Sequence, residues 1–97
     1  MRAEEARKIV EEADKKAMSI IESEEWLEKA MSRIHNFIRK ISEGGRRGSP
    51  VCLGSFFQES GIRIEYAEKA YLAIIPRLLA EEYSVILKDK YTIEISW

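Results

Sequence analysis

The sequence predicts an α+β domain: a long N-terminal helix or helix pair, a strand, a helix and a C-terminal β-hairpin, forming a small antiparallel three-stranded sheet. Two observations carry this reading. Apolar residues recur at helical spacing through residues 3–43, and they alternate strictly from Tyr91 to Trp97. Between these regions lies Gly44–Pro50, reading GGRRGSP, which is a loop by composition. The expected organisation is one domain over 1–97, with a helical arm (1–43), a Gly/Arg loop (44–50) and a strand–helix–hairpin unit (51–97).

The first element shows an apolar stripe at Ala6, Ile9, Val10, Ala13, Ala17, Ile20 and Ile21, continued by Leu27, Ala30, Met31, Ile34, Ile38 and Ile41. Glu and Lys pairs four residues apart, such as Glu4–Lys8 and Glu11–Lys15, support the other faces. The stripe skips a beat at Glu24, where Ser23 followed by Glu24 and Glu25 has the form of an N-cap and acidic first turn. A single helix would run about 60 Å at 1.5 Å per residue, leaving much of its stripe bare. The expectation is therefore two segments or a bend, ended by Gly44-Gly45. Val51–Phe57 reads as a strand and Gln58–Gly61 as a turn. The helix after Ile64 keeps phase through Ala67, Ala70, Tyr71, Ile74 and Leu78 despite Pro76, which calls for a kink or a new helix start, the unbroken phase favouring the kink. Tyr83, Val85 and Leu87, then Tyr91, Ile93, Ile95 and Trp97, form the hairpin around Lys88-Asp89-Lys90, with its apolar residues packed inward.

Leu79-Ala-Glu-Glu-Tyr-Ser-Val, followed after a gap by Tyr91-Thr-Ile-Glu-Ile-Ser-Trp, resembles the C-terminal end of many small phage-encoded proteins. In those proteins a helix ends in Gly-Tyr-x-Val before a hairpin closing on a Thr-Ile-x-Trp-like tail. The resemblance implies a viral or prophage origin and no particular reaction. This chain departs from the pattern at Glu82, where glycine is usual, so its helix is expected to stop without the left-handed cap.

Composition narrows the function classes. The 97 residues carry 16 Lys+Arg and 17 Asp+Glu, giving a formal net charge of −1, with no global basic field for nucleic acid or anionic membrane. No apolar run reaches the roughly 20 residues that span a bilayer, and Met1-Arg-Ala-Glu-Glu does not read as a signal peptide. A lone Cys52 fits a reducing compartment. The expected location is the cytoplasm, that of the host cell for a viral protein.

One histidine, His35, set mid-helix, and one cysteine, placed in the expected buried strand, do not suggest nucleophilic catalysis or a structural zinc site. Phosphate-loop and dinucleotide fingerprints are missing, so no enzyme, cofactor or metal is expected. The candidate ligand-binding residues are Arg46 and Arg47 on the glycine-flanked loop, with Arg39 and Lys40 beside them. Guanidinium groups there suit an anion, although helix-end cations also serve as caps. Trp26 and Phe37, eleven residues apart and off the main stripe, share a face with Ile41 alongside and are the candidate oligomer interface, the other reading of that face being a wider stripe buried inside the monomer. The other aromatics are expected in the core. The function expected from these features is stoichiometric binding of a host protein or small anionic signalling molecule by a non-enzymatic phage accessory protein, as an inhibitor or anti-defence factor, assembled as a homo-oligomer. A winged-helix nucleic-acid regulator is the alternative by element order, disfavoured by the Glu- and aromatic-rich helix 65–82.

Overall fold

The computed structural model describes residues 1–97. Two helices, α1 (Ala3–Ile21) and α2 (Glu24–Glu43), meet at Ser23, whose extended backbone and hydroxyl cap α2. The missed beat is therefore a true break. After Gly45, which takes the left-handed φ of +83° that closes α2, the chain enters β1 (Gly48–Val51), α3 (Gly54–Glu59), a 3₁₀ turn (Ile64–Tyr66), α4 (Ala67–Ala80), β2 (Ser84–Leu87) and β3 (Ile93–Ser96). The sheet is antiparallel in the order β1-β3-β2. The expected α+β class and three-stranded sheet are both present.

The strand expected over Val51–Phe57 is displaced. β1 begins inside the expected loop, and Gly54–Glu59 is a helix. Adjacent Phe56 and Phe57 explain the difference. A strand turns consecutive side chains to opposite faces, whereas one helical turn lets both reach the core, and both are buried here. Pairing with β3 begins at Gly48 because its backbone lies close to the neighbouring strand. A Cβ there would sit 3.1 Å from the Ile95 carbonyl oxygen. Cys52 is consequently exposed, contrary to the buried strand position expected for it.

Helix α4 runs unbroken through Pro76. The proline has no N–H for the Leu72 carbonyl, and Leu72 lies on the exposed side of the helix. The end of α4 corrects the expected loss of a left-handed cap: Glu82 itself adopts φ +72°. Its N–H donates to the Leu79 carbonyl, and the Tyr83 N–H donates to that of Leu78. This is the hydrogen-bond pattern of a Schellman cap built on a non-glycine residue, at a cost of about 1–2 kcal/mol for an L side chain in that region. Glu82→Gly is expected to raise stability by about 1 kcal/mol, or several degrees in thermal melting. A lower melting temperature would show that the side chain contributes more than its backbone costs.

The core lies between the helices and one face of the sheet. Ile34, Ala70, Tyr71, Ile74, Leu78, Ile93 and Ile95 are fully buried in it. Tyr91, expected to pack inward, is 46% exposed. It precedes β3, and its backbone does the holding: the Tyr91 carbonyl accepts from the Tyr71 hydroxyl at 2.6 Å, and its N–H donates to Asp89 at 2.7 Å. Trp97 is half-buried, edge-on to Tyr83 at 6.3 Å. The molecule measures 56 × 25 × 22 Å, elongated because α1 projects from the body.

Candidate binding surfaces

Helix α1 joins the body only near its end, where Ala17 and Ile21 are buried. Before Ala13 every residue is exposed, including Ile9 at 54% and Val10 at 57%. Asp14, which accepts a hydrogen bond from the Tyr66 hydroxyl, marks where the arm leaves the body. That bond holds the Tyr66 hydroxyl above its ordinary pKa, because ionising it would set two negative charges together. The distal apolar stripe of Ala6, Ile9 and Val10 thus continues the face that is covered further along.

The four cations of the candidate anion site do not come together in any of the three main clefts. Arg39, Lys40, Arg46 and Arg47 are all exposed. Arg39 lines a groove between α2 and α4 with His35, Arg77 and Glu81, whereas Lys40, Arg46 and Arg47 line none of the three main clefts. The loop backbone is anchored at both ends: Arg46 N–H donates to the Ile41 carbonyl and the Arg47 carbonyl accepts from Trp97 N–H. In the groove, His35 Nε2 lies 3.0 Å from Glu81 Oε1. Nearby, Arg77 donates to Glu24 at 2.5 Å, and this guanidinium holds the Glu24 carboxyl below its ordinary pKa. His35 is therefore occupied in joining α2 to α4 and lines a different cleft from Cys52.

Trp26 requires a correction. It is not an exposed residue for contact between chains but is 6% exposed inside the core, stacked on Phe56 at 5.8 Å and tilted against Phe57 at 5.9 Å. The short helix α3, read as a strand from sequence, is what covers it. Phe37 remains 36% exposed and Ile41 half-buried, so the expected interface trio is split between core and surface.

A cleft of about 860 Å³ opens between α3, the 61–65 segment and Tyr91, with Cys52, Ser55, Gln58, Arg63 and Glu65 on its walls. At its base the Tyr71 hydroxyl accepts from Leu53 N–H at 2.8 Å while donating to Tyr91. Burial pushes the Tyr71 pKa up to about 12 against the opposing pull of the Leu53 N–H. This phenol stays protonated and structural. No three His, Cys, Asp or Glu side chains gather where they could hold a metal ion, and no helix is long and apolar enough to cross a membrane.

Sequence reasoning missed the second apolar face of α4. Leu72 and Leu79 are 53% and 52% exposed, with half-buried Ile75 between them at helical spacing. The signal was present, since Ala-Tyr-Leu-Ala-Ile-Ile-Pro-Arg-Leu-Leu is apolar on more than one side, and such a helix is normally covered on more than one side. Compared with protein-family profiles, curated protein sequences and solved structures, the chain matches none.

Proposed function

We propose that the protein is a non-enzymatic accessory factor of phage or prophage type, acting in the host cytoplasm by stoichiometric binding of a host protein, as an inhibitor or anti-defence factor. The observation that supports this reading is the projecting half of α1, with Ile9 and Val10 more than half exposed on a helix whose other faces are charged. An amphipathic helix presented in this way is suited to lie in a partner's apolar groove. Alanines on the same stripe let a partner backbone approach closely. A small anionic ligand at Arg46 and Arg47 has less support, because the loop forms no part of a main cleft. Nothing favours the winged-helix alternative: α4 presents Leu72 and Leu79 where a reading helix presents Arg or Asn.

Affinity capture from bacterial lysate, comparing the natural sequence with Ile9→Glu/Val10→Glu, tests the proposal. Both positions are exposed, so the variant is expected to fold within about 0.5 kcal/mol of the parent. It should lose a partner that the parent retains at a fixed ratio. A partner held equally by both proteins would remove the arm from the function. Failure of the parent to hold any host protein would remove binding of a host protein altogether.

A further inference from the structure

The sheet has one closed edge and one open edge, and we infer that the open edge, β2, pairs with β2 of a second copy to make a symmetric dimer with a continuous six-stranded sheet. The hydrogen-bond alternation identifies the free groups. Trp97 N–H donates to the Arg47 carbonyl, so in β1 the odd residues bond β3 and the even residues face outward. The outward pair is Gly48 and Pro50, and proline has no donor to offer. With Gly48 as its one remaining donor, that edge is closed to a full ladder. On the other side Lys88 N–H donates to the Thr92 carbonyl, and the register pairs Ile86 with Glu94 and Ser84 with Ser96. Residues 84, 86 and 88 therefore turn toward β3, while Val85 and Leu87 turn their N–H and C=O groups away from the sheet.

Two outward residues, two apart, fit one antiparallel self-pairing in full. Val85 exchanges both hydrogen bonds with Leu87 of the second copy, Leu87 does the same with Val85, and the two Ile86 residues meet at the two-fold axis. Every side chain keeps its face: Val85 and Leu87 stay on the core side, and Ile86, 63% exposed in the single chain, gains an apolar neighbour. The charges agree with this direction. Antiparallel pairing sets the Glu82 end of one strand beside the Lys90 end of the other, and neither residue has an ion-pair partner within its own chain. Parallel pairing would set like beside like.

The helical layer supports the same edge. Arg77 and Glu81 bind α2, and α2 lies on the β1 side of the sheet. By helical rotation Leu72, Ile75 and Leu79 occupy the flank of α4 turned away from α2, toward β2. In the dimer this flank meets its symmetry mate, which accounts for an apolar face that the single chain leaves bare.

Light scattering at micromolar concentration, combined with amide exchange, tests the inference. The protein is expected at twice its 11.3 kDa mass, with Val85 and Leu87 amides protected. Leu72→Glu/Leu79→Glu, both exposed sites, should weaken the dimer at least tenfold and release those two amides without unfolding the chain. A chain monomeric throughout, or a dimer in which Val85 and Leu87 exchange freely, would overturn it. So would a dimer indifferent to the α4 substitutions, or protection of these amides that appears only when a different protein is added.

Discussion

Trp26→Ala is expected to lower stability by about 3–5 kcal/mol, the range for truncating a large buried aromatic. The indole fills the junction of α2 and α3 and carries the stack on Phe56 and Phe57. Phe57 in turn stands edge-on to Tyr71 at 4.9 Å. The loss should therefore spread to the cleft and the hairpin. Domains of this size are commonly stable by about 5–15 kcal/mol, so the loss removes a substantial fraction of the total and should lower the unfolding midpoint sharply. Denaturant unfolding checks this directly. A variant of unchanged stability would place Trp26 on a surface after all. Its Nε1 has no hydrogen-bond partner, and Trp26→Phe, which removes that buried donor, should cost much less than Trp26→Ala.

The second large effect is expected at Tyr71. Its hydroxyl links the β1–α3 connection to the start of β3 through Leu53 and Tyr91. Tyr71→Phe keeps the ring but leaves the Leu53 N–H buried and unpaired, which costs about 1–3 kcal/mol. The folded phenol has a pKa of about 12, raised from the ordinary value of 10.0. A raised folded pKa means that the contribution is complete below the unfolded value and declines as pH climbs from about 10 toward 12. Unfolding measured across that window should show the parent losing stability more steeply than Tyr71→Phe. Equal slopes would mean that the hydroxyl is not held in the folded state.

Much of this architecture was legible because it depends on local patterns. Ser23 and the acidic pair after it marked the helix break, and Gly45 the end of α2. Strict alternation from Ile93 to Trp97 gave β3. The central segment is ambiguous in sequence, because Val51–Phe57 is short and apolar and such a run does not distinguish a strand from a helical turn. The ambiguity extends to the surface: only with α3 formed does Trp26 have a cover, and only with β1 ending at Val51 does Cys52 lie exposed. The open β2 edge was not legible, because which backbone groups face outward depends on the three-strand order and the ladder's hydrogen-bond alternation. Glu82 was unreadable for the opposite reason: its neighbours impose a left-handed conformation that its own side chain disfavours.

The central claim is that the outer half of α1 is a contact arm, and amide exchange along that helix tests it most directly. In the isolated chain residues 3–12 should exchange rapidly, since no tertiary packing protects them. With a captured host protein bound, those amides should slow by at least tenfold while the loop at Arg46 and Arg47 remains unchanged. Protection of the loop with a freely exchanging arm would contradict the account and return the binding site to the arginines.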